Sequence, residues 1–263
     1  MNTSYTQLLN PLPERTQKPR TKGITMVMDK GLSLTEAESL CEVGEHLVDF
    51  VKLGFGTSLV TPRLKEKINL YKQNGFEVYL GGTLFEAFYV RKQLNNYLLL
   101  LDELGIQTLE ISDGSLLIPH TEKCNVIQEL SSRFNVLSEV GSKDAEKIIP
   151  PYSWIEMMEK ELLAGASHVI AEARESGTVG VFRGSGEVRT GLVAEIIRKI
   201  PDHKIIWEAP QKNQQLYFIK LLGHNVNLGN IAPSEPLSLE ALRLGLRGDS
   251  FDFFLQSHSS KTQ

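Results

Sequence analysis

The sequence predicts a single-domain α/β protein, a (β/α)8 TIM barrel. Three observations carry that expectation. Eight short apolar runs alternate with helical segments, and nearly every run ends on a polar or acidic residue. The length of 263 residues is close to the roughly 250 residues typical of this barrel.

Taken in order, residues 1–22 contain Pro11, Pro13 and Pro19 and read as an extended or loosely ordered lead-in. The barrel is expected over 23–250. A C-terminal tail follows over 251–263, polar from about Ser257 and expected to be disordered. The apolar runs are 24–28 before Asp29, 48–52 before Gly54, and 77–80 stopped by Gly81-Gly82. They continue with 108–111 before Ser112-Asp113-Gly114, 135–140, and 168–171 running into Glu172. The last two are 204–207 before Glu208 and 225–228 before Gly229-Asn230. Helical spacing of apolar residues fills the gaps at 35–47, 61–71, 84–104, 121–134, 153–164, 191–200, 212–222 and 237–246. Gly75, Gly105, Gly165 and Gly223 fall where helices should stop, as a glycine C-terminal cap would. A doubly wound open sheet shares the alternation but concentrates its chemistry at one switch point. Polar residues at the end of run after run favour the closed barrel, which gathers strand ends onto one face.

Composition bounds the function. Hydrophobic residues make up 41% and charged residues 23%, as in ordinary soluble domains. A net charge of −4 argues against a nucleic-acid-binding surface. No apolar stretch approaches the ~18 residues of a membrane helix. The polar, proline-containing start lacks the apolar core of a signal peptide. The expectation is a cytoplasmic protein with no nucleic-acid and no membrane partner. Two distant cysteines, Cys41 and Cys124, suit a reduced compartment and offer no zinc spacing. Whether the chain forms a homo-oligomer is left open.

No dinucleotide fingerprint, P-loop, HExxH or GxSxG is present. The six histidines lack ligand spacing, and His168 reads as structural. The strand ends are more informative. Glu110, Asp113, Glu139, Glu172, Glu175 and Glu208 would converge on one rim. Gathering carboxylates is costly unless cations neutralise them. Candidates are Lys52, Lys143, Arg174 and a hard, oxygen-preferring metal such as Mg²⁺. The plain alternative for any one acid is a solvated loop residue or an ion pair. Lys52 ends an apolar run and should point into the mouth, and Lys143 directly follows Glu139-Val140-Gly141-Ser142. Either lysine suits a proton donor, an anion clamp or a plain salt bridge. Phosphate sites in barrels often lie after strands seven and eight. The Asn227-Leu228-Gly229-Asn230 stretch and the Ser176-Gly177 loop after Arg174 are candidates for substrate binding, unless their glycines only make turns.

Eight phrases in register resemble a known family. They are Gly23-Ile24-Thr25-Met26-Val27, Lys52-Leu53-Gly54-Phe55-Gly56-Thr57-Ser58, Gly81-Gly82-Thr83-Leu84-Phe85-Glu86 and Glu110-Ile111-Ser112-Asp113-Gly114. The others are Glu139-Val140-Gly141, Glu172-Ala173-Arg174-Glu175-Ser176-Gly177, Trp207-Glu208-Ala209-Pro210 and Val226-Asn227-Leu228-Gly229-Asn230-Ile231. Together, from about Pro19 to Asp249, they resemble the phosphosulfolactate synthase family. The resemblance implies a (β/α)8 barrel and a lyase. The implied reaction is Mg²⁺-dependent addition of sulfite to phosphoenolpyruvate, giving (2R)-phospho-3-sulfolactate. In methanogens this begins one coenzyme M route, and the family includes bacterial members and plant heat-stress-associated proteins. Two departures are Ser142, where the family often has the first of two lysines, and Leu53, where an aromatic is common.

The resemblance makes Lys143 the catalytic acid, with Lys52 and Arg174 holding the anions. Glu110, Asp113, Glu139, Glu172 and Glu208 become metal ligands or their supports. Ser176, Gly177, Asn227, Gly229 and Asn230 become substrate-binding residues. The rival readings are a non-catalytic or stress-associated relative on the same barrel, and another enzyme acting on a phosphorylated enol acid.

Overall fold

In the computed structural model, which describes residues 5–116, 118–144 and 148–251, eight parallel strands close around one interior. They are β1 Thr25–Asp29, β2 Phe50–Leu53, β3 Glu77–Leu80, β4 Thr108–Ile111, β5 Asn135–Val140, β6 His168–Ala171, β7 Ile205–Glu208 and β8 Leu228–Ile231. Their hydrogen-bonded order is β3-β2-β1-β8-β7-β6-β5-β4. β4 lies beside β3, where Thr108 Oγ1 donates to Glu77 Oε2 at 2.7 Å. The chain is a (β/α)8 barrel.

Helices α1 Leu34–Gly44, α2 Leu64–Gln73, α3 Gly82–Val90, α4 Leu94–Glu103, α5 His120–Ser131, α6 Pro151–Leu163, α7 Thr190–Ile197, α8 Lys212–Leu222 and α9 Pro236–Arg243 surround it. The sequence pattern runs α3 and α4 together as one helix over 84–104. The structure breaks it at Lys92, whose backbone is left-handed at φ 56°. Lys92 N donates to Tyr89 O and Gln93 N donates to Phe88 O, the reciprocal pair that ends a helix. Glycine usually signals that turn, as Gly75, Gly105 and Gly165 do here. A lysine in the same role leaves no trace in the pattern.

Strand alternation sorts side chains into two cores. Inward residues Ile24, Met26, Phe50, Tyr79, Leu137, Ile170 and Ile206 fill the barrel. Outward residues such as Val51, Leu109, Val169 and Trp207 pack under the helices, with Trp207 stacked on Phe218 of α8 at 4.7 Å. Two residues beyond Phe50, Leu137 and Ile206 on the same inward faces come Lys52, Glu139 and Glu208. The period of two that builds the core therefore also delivers charge to the mouth.

The eighth strand lies three residues later than its apolar run at 225–228 suggests. The reason is Asn227. Its buried Oδ1 accepts from Ile24 N at 3.0 Å, and its Nδ2 donates to His203 O and Ile205 O, both at 3.1 Å. It ties β1, β7 and β8 together at the N-terminal end, opposite the mouth. Asn227 is therefore a structural residue and not the substrate ligand expected of it. Gly229 likewise sits inside β8. A Cβ there would meet Met26 Cε at 2.6 Å, so glycine makes room for the interior methionine.

The described part of the lead-in begins with a short 3-10 helix at Tyr5–Leu8, and beyond it the chain is tied to the barrel. Lys18 Nζ donates to Glu45 O, Val48 O and Gly75 O, Arg20 pairs with Asp49 at 3.0 Å, and Arg15 pairs with Glu240 of α9 at 2.9 Å. These cations satisfy carbonyls at helix ends and loops that the closed barrel leaves unpaired. His168, at the start of β6, stays neutral: burial, then Lys204 and His203, lowers its pKa to about 4. The expected C-terminal tail lies, beyond residue 251, outside the described residues.

Asn227→Ala strands a buried amide and two carbonyls. It should lower stability by about 2–3 kcal/mol in urea denaturation, whereas a surface loop residue would give little change.

Candidate active site

At the C-terminal end of the strands a cavity of about 350 Å³ is lined by charged residues from many of them. Two larger cavities, of about 550 and 560 Å³, lie between α3, α4 and α5 and at the N-terminal end. Neither gathers a cluster of buried carboxylates. The smaller cavity is where the chemistry can be.

Lys52 is its centre. Nζ lies 2.9 Å from Glu110 Oε2, 3.3 Å from Glu208 Oε1 and 3.4 Å from Glu139 Oε2. Those partners come from β4, β7 and β5, so one ammonium spans the mouth. Burial alone would lower the Lys52 pKa. Glu110, Glu208 and Glu139 more than reverse this and keep it protonated, well above the ordinary lysine value.

Lys143 forms a second hub from the loop after β5. Nζ lies 3.1 Å from Glu139 Oε1, 3.6 Å from Glu86 Oε1 and 4.0 Å from Glu172 Oε2, and donates to Thr83 Oγ1 at 3.3 Å. Burial opposes its charge, but Glu139, Glu172 and Glu86 raise its pKa above the ordinary value. It therefore carries a proton at neutral pH. Its side chain also packs on Gly114, whose carbonyl accepts from Lys143 N.

Five carboxylates thus surround two ammonium groups: Glu86, Glu110, Glu139, Glu172 and Glu208 against Lys52 and Lys143. The excess shows in their protonation. Burial resists ionisation of Glu139, yet Lys143 and Lys52 outweigh it and hold its carboxyl well below the usual range. Glu172 moves the other way, pushed well up by burial and then by the Glu139 charge. Glu208 rises to about 7, chiefly through burial. Carboxylate oxygens of Glu139, Glu172 and Glu208 lie within 4.8 Å of one another, and Glu172 Oε2 has no hydrogen-bond partner among the described residues. An all-oxygen trio with surplus negative charge is a donor set for a hard divalent cation. Glu110 stands apart from that trio, held by Lys52 and by Gly82 N at 2.6 Å.

Other expected residues divide. Arg174, Glu175 and Asn230 line the cavity. Asp113 does not. It pairs at 2.9 Å with buried Lys123 Nζ, which also donates to Glu139 O at 2.6 Å and pairs with Glu161 at 2.9 Å. The chain turns outward after β4, so Asp113 meets α5 and not the expected metal. Ser176 and Gly177 are also outside the cavity lining. Ser176 Oγ bonds Thr178 Oγ1, and Gly177 O accepts from buried Gln214 Nε2 at 2.8 Å. They fix the loop that carries Arg174.

Glu86 is the residue sequence reasoning missed. It is buried on α3, accepting from Ser112 Oγ at 2.5 Å and Ser115 N at 3.0 Å. Its signal was its place one helical turn after the Gly81-Gly82 stop, on the helix end that faces the mouth.

A closed parallel barrel whose strand ends converge on buried lysines and carboxylates defines the class as a TIM-barrel enzyme. Residues 13–249 match the family model for (2R)-phospho-3-sulfolactate synthase (ComA), and the chain belongs to that family. Phosphosulfolactate synthase from Methanothermobacter thermautotrophicus is 44% identical over 244 residues, spanning 90% of this chain and 95% of that protein. The Bacillus subtilis phosphosulfolactate synthase is 43% identical over 243 residues, spanning 91% and 96%. Among solved structures, the YdjI aldolase from Escherichia coli K12 matches with a TM-score of 0.53 at 9% identity, spanning 81% of this chain and 76% of that one; the likeness is one of fold. The chain is a lyase-class enzyme. No described helix is long and apolar enough to cross a membrane.

Lys52→Met removes the shared counter-ion of three buried carboxylates. It should cost about 3–5 kcal/mol in chemical denaturation. Adding Glu110→Gln to it should recover part of that loss, whereas independent sites would make the two losses add.

Proposed function

We propose that the enzyme adds sulfite to C3 of phosphoenolpyruvate, with Mg²⁺ as cofactor, to give (2R)-phospho-3-sulfolactate. The observation that carries this reading is Lys143, protonated and facing the cavity from beside Glu139. Membership of the family supports it. Glu139, Glu172 and Glu208 would hold the metal, which when bound supplies a Lewis acid for the substrate carboxylate.

The chain's own residues have three tasks. Arg174 presents positive charge to a dianionic nucleophile and a phosphorylated acid, while Lys52 offsets the carboxylates that would otherwise repel them. Asn230 adds a neutral donor on the β8 side. Lys143 moves the proton. The sulfur lone pair of sulfite forms the new bond to C3 as the C2–C3 π pair shifts toward C2 and the carboxylate. Lys143 Nζ then delivers a proton to C2, and the resulting amine takes one back from water. Delivery from one side of the cavity fixes the configuration at C2.

Purified protein given phosphoenolpyruvate, sulfite and Mg²⁺ should form phosphosulfolactate, seen by phosphorus NMR or mass spectrometry. A chelator should abolish the activity and added Mg²⁺ restore it; activity indifferent to both would rule out the metal. Lys143→Ala should lower kcat by roughly 10²–10⁴-fold with little change in KM for phosphoenolpyruvate. Normal turnover in that variant would remove Lys143 from the proton transfer.

A further inference from the structure

Among the described residues five non-glycine side chains sit on left-handed backbone, and three of them, Phe55, Arg174 and Asn230, line the cavity at the mouth of the barrel. Side chains with a Cβ rarely adopt this conformation, and it concentrates where function demands it. Asparagine tolerates it best, usually because its side chain bonds nearby backbone in a turn. Asn230 does not fit that account. It is only 5% exposed, yet neither Oδ1 nor Nδ2 has a hydrogen-bond partner among the described residues. Its backbone N–H donates to Met26 Sδ at 3.4 Å, where the β1–β8 register shifts. A buried amide with both ends unpaired is costly, so it implies a partner that arrives from outside the chain.

We infer that Asn230 Nδ2 donates to a phosphate oxygen of the substrate and selects for the phosphorylated acid; this rests on the reaction proposed above. Position supports the phosphate end. Asn230 is the penultimate residue of β8, across the mouth from Glu110 and Glu139 on β4 and β5, and barrel phosphate sites commonly follow strands seven and eight. Charge supports an amide. Glu208 lies on the neighbouring strand, and Lys52 and Lys143 show that ammonium groups here are taken up by carboxylates. A neutral donor stays free for an incoming anion. The left-handed turn at residue 230 aims that donor inward where an extended strand would turn it toward the helices.

Asn230→Gly tests this, because glycine keeps the backbone and deletes only the amide. Inorganic phosphate serves as a probe in calorimetry, alongside steady-state kinetics. In the variant, phosphate affinity and KM for phosphoenolpyruvate should each worsen roughly tenfold. KM for sulfite and kcat should stay within about twofold, and the unfolding midpoint should hold or rise. Asn230→Asp, which places a negative charge there, should bind phosphate more weakly still. Unchanged phosphate affinity in Asn230→Gly would overturn the contact. So would a rise in KM for sulfite in place of phosphoenolpyruvate, or a fall in the unfolding midpoint, which would mark a structural role. If the native enzyme bound phosphate in an Asn230-dependent way but made no product from phosphoenolpyruvate and sulfite, the reaction would be wrong and the contact right.

Discussion

An ammonium group held between carboxylates from three strands is the interaction on which the mouth of this barrel depends. Lys52 reaches Glu110, Glu139 and Glu208 at 2.9–3.4 Å from the far side of the barrel. Burying one carboxylate without a counter-charge is expensive, and burying several together is more so. Lys52 lets three of them stay dry and close. Burial keeps the pKa values of Glu172 and Glu208 raised, and two ammonium groups among five carboxylates leave the site short of positive charge. That shortage connects the fold to the proposed chemistry, which brings in a divalent cation and uses a second lysine as acid.

Around this hub the structure works to keep groups in place from behind. Lys123, buried outside the strands, donates to the carbonyl of Glu139 and pairs with Asp113 and Glu161. Gln214, on α8, donates to the carbonyls of Gly177 and Gly186 and so holds the loop carrying Arg174. Glu86 ties the loop after β4 to α3 while lending its charge to Lys143. Positions of reacting groups matter at the level of an ångström, and these bonds limit their freedom without entering the cavity.

Much of this was legible beforehand, for a physical reason. Parallel strands have period two, so an apolar run ending in Lys52, Glu110, Glu139 or Glu208 already says which end of the barrel that charge occupies. What was not legible involves partners distant in sequence. Asp113 reads as a mouth acid until Lys123, on α5, captures it. Gly229 reads as a phosphate loop until Met26, on β1, is seen to need the space. Asn227 reads as a ligand until its bonds to β1 and β7 place it at the opposite end. The break at Lys92 escaped because its signature lies in backbone hydrogen bonds and not in composition.

The sequence by itself determined the (β/α)8 barrel, the order of its strands and the identity of the inward charges, because periodicity and turn residues are local. The tertiary structure decided which acids form the trio, which lysine spans the mouth, and that Lys123 draws off Asp113. It also decided that the Asn230 amide, in the cavity wall, has no hydrogen-bond partner among the described residues. Those are matters of distance between elements, and only barrel closure sets them.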